Sequence, residues 1–315
     1  MDVQLPPTKN ERSIPQDHIT NVLINPMSET GGILTQVVST VADMVSSERL
    51  IQYFVITYAF SWVFWIPMAF QSAGLLLPSL LSDFLASPFN PAPFGPLVAA
   101  LVLSVKYGGA AGAKALLASG VNHRFPKVWL IPALLLMPAV ILASAAIGVL
   151  SMDFAFPILV AEELVFVLPV AFVVVLLTAG PLQEEFGWRG YALPRLQARF
   201  GALVSSVILG LLWAGWHLPL FWVFAGVPNA MYYSHPVWVM FAAVTLNSIV
   251  FTWVYNNTDN SVLSTMLLHT SFNLFLWLIP ITSSVWATYA SVALLLLVAV
   301  VIVAVNGPTS FRRQH

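Results

Sequence analysis

The sequence contains no cysteine and few charged side chains. Without cysteine, the chain can form neither disulfides nor thiolate metal sites, and it has no thiol nucleophile. Only 8% of the 315 residues are charged and 59% are hydrophobic, whereas a soluble domain is about 25% charged. This composition excludes an ordinary soluble domain. Runs of about 20 apolar residues indicate transmembrane helices instead, because the hydrocarbon layer is ~30 Å thick and a helix rises about 1.5 Å per residue.

Three sequence signals are also missing. The polar start of the chain lacks a basic, apolar and small-residue pattern, so we expect no cleavable signal peptide. No serine lies in a Gly-x-Ser-x-Gly context, which disfavours a serine hydrolase of that type. No His-Glu-x-x-His segment occurs, so the usual helical signature of zinc proteases is absent.

The apolar pattern predicts an all-α, polytopic membrane helix bundle with about eight transmembrane helices. Residues 1–49 form a cytoplasmic tail in this interpretation, with an amphipathic helix near 33–48, where apolar residues recur at three- and four-residue steps. Residues 50–306 form the membrane domain, and 307–315 form a short basic cytoplasmic tail. The apolar spans lie near residues 51–70, 93–106, 128–149, 162–179, 203–225, 236–255, 261–279 and 285–305.

The distribution of basic residues predicts how the bundle is inserted. With eight spans, all 12 lysines and arginines fall on one side of the membrane, and the charged residues in the opposite loops are all acidic. By the positive-inside rule, both termini are then cytoplasmic. We therefore expect a multi-pass protein of the cytoplasmic (plasma) membrane.

The segment 183–191 concentrates charge between two apolar runs, in Glu184, Glu185 and Arg189. Taken alone, Glu185 and Arg189 could be an ordinary helix ion pair at i,i+4 spacing. The glutamate pair at 162–163 also lies beside a span, but at a helix start, where acids are favoured, and we interpret it as structural. Paired carboxylates therefore do not identify a site unless other polar residues accompany them.

Other polar side chains do occur, inside the later spans. His217 lies in the fifth span and Asn247 in the sixth, while His269 and Asn273 share one face of the seventh. An ionisable residue at membrane depth costs ~3 kcal/mol or more, which makes such positions candidates for function. The structural alternative for each residue is a hydrogen bond to a neighbouring helix.

These residue types suit hydrolysis. A glutamate and a histidine can activate water as general bases, and a histidine with an asparagine can donate hydrogen bonds to a developing oxyanion. Alternatively, Glu184, His217 and His269 could bind a divalent metal such as zinc and leave one position open for water. The residues leave both mechanisms open, so the cofactor stays undetermined.

The predicted spans place Glu184 and the two histidines at different depths in the membrane. Glu184 comes about 22 residues after position 162, which is ~33 Å of straight helix and places it at the inner face, away from the histidines. We therefore expect the chain to break at Gly180 and Pro181. We also expect a cavity that opens inward, so that the site faces the cytoplasmic side.

Three segments resemble the motifs of the CAAX protease and bacteriocin-processing (CPBP, or Abi) family of intramembrane proteases. Residues 184–189 are similar to its Glu-Glu-x-x-x-Arg motif, and residues 269–273 to its His-x-x-x-Asn motif. Residues 213–217 resemble a third motif, an aromatic residue four positions before a histidine, although Trp213 stands where Phe is common. The resemblance covers about residues 160–275.

This resemblance implies an intramembrane endopeptidase that acts on a peptide or protein substrate within the lipid bilayer. Eukaryotic members of the family remove the C-terminal tripeptide from prenylated proteins. The implied catalytic residues are Glu184 and His217, which would activate water, and His269 and Asn273, which would form the oxyanion hole. The implied supporting residues are Glu185, Arg189 and Asn247.

Two other functions fit the same residues. Prokaryotic members of the family are linked to bacteriocin self-immunity, so the protein could be a non-catalytic immunity or scaffold protein. Buried Glu, His and Asn also mark ion and proton pathways, so it could be a transporter. We expect no nucleic-acid partner in any of these cases.

Overall fold

The computed structural model describes residues 47–87, 90–157, 161–227 and 230–312. Almost all of the predicted tail 1–49 and of its amphipathic helix lies outside the described residues, as does the end of the chain after Arg312. Among the described residues, every regular element is a helix. The predicted all-α fold is therefore confirmed.

The described part of the chain forms a succession of helices joined by short connections. The α-helices are α1 (Ser47–Ser72), α2 (Ser79–Ala86), α3 (Gly95–Ser119), α4 (Met137–Leu150), α5 (Ala161–Thr178), α6 (Pro181–Gly187), α7 (Leu193–Trp216), α8 (Leu220–Val223), α9 (Val237–Asn256), α10 (Val262–Leu278) and α11 (Val285–Asn306).

The helices account for the eight predicted spans. In the described residues, six helical runs are long and apolar enough to cross a membrane. Two shorter apolar helices, Leu164–Thr178 and Val262–Leu278, correspond to the predicted fourth and seventh spans. The chain is therefore an integral, multi-pass membrane protein.

Two of the helical runs are interrupted close to a predicted span boundary. Helix α3 breaks at Gly109, where φ is 58° and ψ is −157°, shortly after the predicted end of the second span at residue 106. The fifth belongs to a run of 43 residues that begins at Pro181 and includes α6, α7 and α8. Within that run, Gly201 interrupts α7 shortly before the predicted start of the fifth span at residue 203, so both predicted boundaries lie near a break in the helical backbone.

Helix α1 packs alongside this long run. Three side chains of α1 donate hydrogen bonds to backbone carbonyls of the run, namely Tyr58 to Leu212, Trp62 to Trp216 at 2.9 Å and Ser72 to Val223 at 2.9 Å. Donors further along α1 bond to acceptors further along the run, so the two helices run in the same direction. On the other face of α7, a Cβ at Gly210 would lie 2.6 Å from the Cα of Thr245, so the glycine lets α9 approach closely.

Several of the described basic side chains cluster at one end of the bundle, and we call it the basic end. The Arg49 guanidinium lies 4.4 Å from the ring centroid of Tyr107. Arg195 is close enough to Arg49 for their charges to repel. Arg312 Nε donates to the carbonyl of Asn256, at the end of α9, over 2.5 Å. The grouping agrees with the predicted placement of basic residues on one side of the membrane.

The segment after α11 also folds onto the basic end. Gly201 interrupts α7 with a left-handed φ of 70°, which leaves the next N–H groups without helical partners. The N–H of Ala202 donates to Thr309 O at 2.7 Å, and that of Leu203 donates to Pro308 O at 2.9 Å. The carboxy-terminal segment therefore caps the second half of α7, and the predicted tail 307–315 packs against the bundle as far as it is described.

Candidate active site

The chain turns sharply at Gly180, as expected. Helix α5 ends at Thr178, and Gly180 adopts φ 108° and ψ −48°, a conformation that favours glycine. Pro181 then opens α6, where its missing N–H costs no hydrogen bond. The Gln183 side chain fixes the turn, because it accepts from the Gly180 N–H at 3.1 Å and donates to the Leu177 carbonyl at 2.9 Å.

The carboxylate of Glu184 is held by two indoles. Its Oε2 accepts from Trp213 Nε1 at 2.6 Å and from Trp188 Nε1 at 3.2 Å. Both donors use the same oxygen, so Oε1 stays directed at Gly180. The Trp213 indole donates a hydrogen bond that the phenyl ring of Phe lacks, which gives the departure from the family motif a physical role.

A second polar pair comes from α10. His269 Nδ1 donates to Glu185 Oε1 at 2.9 Å, which leaves Nε2 directed at Gly180. Asn273, one turn further along the helix, donates from Nδ2 to the carbonyl of Ala179 at 2.8 Å. These two bonds tie α10 to both sides of the turn and orient the imidazole.

Three polar atoms converge on the position where Gly180 lacks a side chain. A Cβ built there would lie 2.7 Å from Glu184 Oε1 and 3.5 Å from both His269 Nε2 and Asn273 Nδ2. The glycine therefore leaves a space about the size of one small group among a carboxylate, an imidazole and an amide. The sequence predicted the break here but not the space, because the other walls come from α10, some 90 residues later.

His217 approaches the same cavity from the end of α7. Its Nδ1 donates to the carbonyl of Trp213 at 2.9 Å, which leaves Nε2 as an acceptor. The imidazole packs against the rings of Trp216, Trp65 and Tyr233, with centroid distances of 4.7, 6.4 and 6.5 Å. The histidine is thus fixed by its own helix and by aromatic neighbours.

The cavity has a volume of about 240 Å³ and includes most of the predicted site residues. Glu184, His217, His269, Asn273 and Asn247 all line it. The Asn247 side chain is 3% exposed, and its Oδ1 has no hydrogen-bond partner among the described residues. The predicted catalytic residues and Asn247 are therefore brought together by the fold.

Glu185 and Arg189 lie behind the cavity wall, and both are fully buried. Arg189 Nη1 donates to Glu185 Oε1 at 2.9 Å, the same oxygen that accepts from His269. The Arg189 guanidinium is sandwiched between Trp213 and Phe251, 4.4 Å from each ring centroid. The expected support of Glu184 by this pair is therefore indirect, through Trp213, while the direct contact is to His269.

The cavity extends away from the basic end. Met231, Tyr232 and Tyr233, in the connection before α9, line it. Helix α9 has 20 residues, or ~30 Å, and its far end at Asn256 lies at the basic end. The lining therefore reaches the end of the bundle opposite the basic residues. Glu184 and His269 both reach the space beside Gly180, so they lie in the same part of the bundle.

Several potential metal ligands of this site make hydrogen bonds to other side chains in this structure. Within the described ranges, no group of three His, Asp or Glu side chains is placed to hold one metal ion. His269 Nδ1 is bonded to Glu185, and one oxygen of Glu184 is bonded to two indoles. The polar atoms around Gly180 surround a space the size of a water molecule or a carbonyl oxygen.

Known sequences match this part of the chain. The family model described as type II CAAX prenyl endopeptidase Rce1-like matches residues 160–275, the range of the three motifs. The predicted resemblance is confirmed. CAAX prenyl protease 2 of Methanococcus maripaludis is 26% identical over 264 residues, which cover 79% of this chain and 92% of the relative. Residues 160–275 are therefore similar to CAAX prenyl endopeptidases, and the candidate site lies within that range.

The turn at Gly180 provides a test of this geometry. We expect Gly180→Ala to reduce peptidase activity by at least about a hundredfold, because the new methyl group would lie against Glu184 Oε1. Gly226→Ala is the matched control, since Gly226 also has a positive φ, of 77°, but nothing lies within 4 Å of its Cβ position. Both variants carry the backbone cost of about 1–2 kcal/mol. Cleavage of a membrane-peptide reporter measures the loss of activity, and thermal unfolding in detergent measures the backbone cost. Equal losses of activity in Gly180→Ala and Gly226→Ala would contradict the assignment of the site to the space at Gly180.

Proposed function

We propose that the protein is an intramembrane endopeptidase that hydrolyses a peptide bond with water activated by Glu184 and His217. The observation that carries the proposal is the convergence of Glu184, His269 and Asn273 on the space at Gly180. Both free acceptors, Glu184 Oε1 and His217 Nε2, line one cavity with two potential donors. General bases and oxyanion donors are the two components that peptide hydrolysis requires.

In this mechanism, Glu184 Oε1 accepts a proton as water attacks the scissile carbonyl carbon. The new C–O bond converts the carbonyl oxygen to an oxyanion. Asn273 Nδ2 has a second hydrogen beyond the one given to Ala179, and His269 in its doubly protonated form donates from Nε2. The proton then passes to the amide nitrogen, the C–N bond breaks, and a carboxylate and an amine are released. Each oxyanion donor can contribute ~3 kcal/mol.

The lining of the cavity favours an apolar substrate. Beyond the polar group, the walls include Trp65, Trp216, Tyr232, Tyr233 and Phe272. Such walls suit large apolar side chains or a lipid modification near the scissile bond. Prenylated proteins are therefore one proposed substrate class, and matched prenylated and unmodified reporter peptides would distinguish it from other membrane peptides.

Replacing the proposed base tests the mechanism. We expect Glu184→Gln and Glu184→Ala each to lower turnover by about a hundredfold or more, because a general base contributes 10²–10⁴-fold in typical enzymes. Asp83→Asn is the control, since Asp83 is an exposed carboxylate that does not line the cavity. Turnover near that of the wild type in both Glu184 variants would refute the proposal and favour a non-catalytic immunity or scaffold role.

Elemental analysis tests the metal alternative. Because the proposed proton transfer uses only side chains, we expect purified active protein to contain less than one zinc per chain and to keep its activity in a strong chelator. One equivalent of metal that is lost together with activity in both His217→Ala and His269→Ala would instead establish metal-assisted hydrolysis.

We further propose that the basic end is cytoplasmic, which places the cavity lining formed by residues 231–233 towards the opposite side of the membrane. The absence of cysteine makes this easy to test by labelling single cysteines. Val227, before that connection, is 48% exposed, and Val121, near the basic end, is 71% exposed. A membrane-impermeant thiol reagent should label Val227→Cys in intact cells and Val121→Cys only after permeabilisation. The reverse pattern would overturn the orientation.

A further inference from the structure

A second pocket, of about 360 Å³, lies at the basic end, away from the candidate active site. Its lining includes Arg49 at the start of α1 and Arg195 in α7. Tyr107, Tyr191 and Tyr255 line it as well, and none of its described lining residues is acidic. Two positive charges therefore face one pocket without a carboxylate in its wall.

Aromatic rings and a backbone carbonyl hold these two arginines, and neither forms an ion pair with a carboxylate among the described residues. Arg49 lies over the Tyr107 ring at 4.4 Å, and Arg195 lies over the Tyr191 ring at 3.6 Å. Arg195 Nη1 also donates to the Tyr191 carbonyl at 2.7 Å. Their charges repel each other. Aromatic faces stabilise a cation only modestly, so the arrangement favours an anion between the two guanidinium groups.

Two buried polar atoms in this pocket have no hydrogen-bond partner among the described residues. They are Arg49 Nε and the hydroxyl of Tyr191, whose side chain is only 1% exposed. The Tyr191 hydroxyl interacts electrostatically with both arginines. A buried donor without a partner costs roughly 1–3 kcal/mol, so a ligand with several acceptor oxygens would recover free energy here.

We infer that this pocket binds a phosphate group. Two arginines and neighbouring hydroxyls match the charge and the acceptor oxygens of phosphate better than those of a halide or a single carboxylate. The pocket lies at the basic end, where the spans reach the headgroup layer, so phospholipid headgroups are available to it. Free inorganic phosphate has the same chemistry, and the experiment below separates the two sources.

A phosphate in this pocket would also contact the segment that carries the candidate site. Gly190 and Tyr191 belong to a π-helical turn, Trp188–Ala192, directly after α6. Tyr191 stacks on Tyr53 at 5.2 Å, and Tyr53 meets the edge of Trp188 at 5.8 Å. Since Trp188 donates to Glu184, bound phosphate would stabilise the turn from which Glu184 is held. The binding itself does not rest on the proposed peptidase mechanism.

The test uses the full-length protein in a neutral detergent. Native mass spectrometry and thermal unfolding are recorded with short-chain phosphatidylglycerol, with a neutral diacylglycerol of equal chain length, and with inorganic phosphate. We expect about one phosphate-bearing ligand per chain, together with an upward shift of Tm. Stabilisation by phosphatidylglycerol alone assigns the site to a lipid headgroup, and equal stabilisation by inorganic phosphate assigns it to free phosphate. Equal binding of the diacylglycerol, or no binding at all, overturns the inference.

Matched arginine variants locate the site. Arg49→Gln and Arg195→Gln should each weaken binding by about tenfold or more, a loss of ~1.4 kcal/mol. Arg124→Gln, an exposed arginine that does not line this pocket, should bind like the wild type. Without ligand, Arg49→Gln should unfold at the wild-type temperature or above it, because the variant removes the repulsion between Arg49 and Arg195. An unchanged or higher unfolding temperature would show that weaker binding by this variant is not caused by misfolding. Equal weakening in all three variants would disprove a specific site.

Discussion

The candidate site depends on one buried group of charges, Glu185, Arg189 and His269. A single carboxylate oxygen accepts from both the guanidinium and the imidazole at 2.9 Å. Removing one partner of such a pair leaves an uncompensated buried charge, at a cost of ~3–5 kcal/mol. The group joins the segment after Gly180 to α10, which is distant in sequence. It therefore fixes the distance between Glu184 and His269 without occupying the cavity.

Aromatic residues provide the surroundings in which these charges are tolerated. Trp213 contacts four members of the site. Its indole N–H bonds to Glu184, its carbonyl accepts from His217, and its ring contacts both Arg189 and His269. Trp188 bonds to the same Glu184 oxygen and packs against Tyr53 of α1. The packing of these two tryptophans thus supports the hydrogen bonds that hold Glu184.

The basic end and the polar cavity lie in different parts of the bundle. The basic end carries arginines that bind backbone carbonyls and tyrosine rings, and it includes the carboxy-terminal segment that caps α7. The cavity lies in the other part of the bundle and reaches residues 231–233. A single run, Pro181–Val223, connects the two regions, since Glu184 and His217 face the cavity while Arg195 faces the basic end. The left-handed glycine at 201 lets this run bend where the carboxy-terminal segment meets it.

The sequence by itself determined the membrane class, the eight apolar helices and the family resemblance, because hydropathy and motif spacing are local properties of the chain. It also located the break at Gly180, since a straight helix would have been too long for the membrane. Only the tertiary structure decided that Glu185 contacts His269, that Trp188 and Trp213 hold Glu184, and that the cavity extends away from the basic end. These features depend on the packing of segments that lie up to about 90 residues apart, and no local pattern encodes the rotation and depth at which such helices meet.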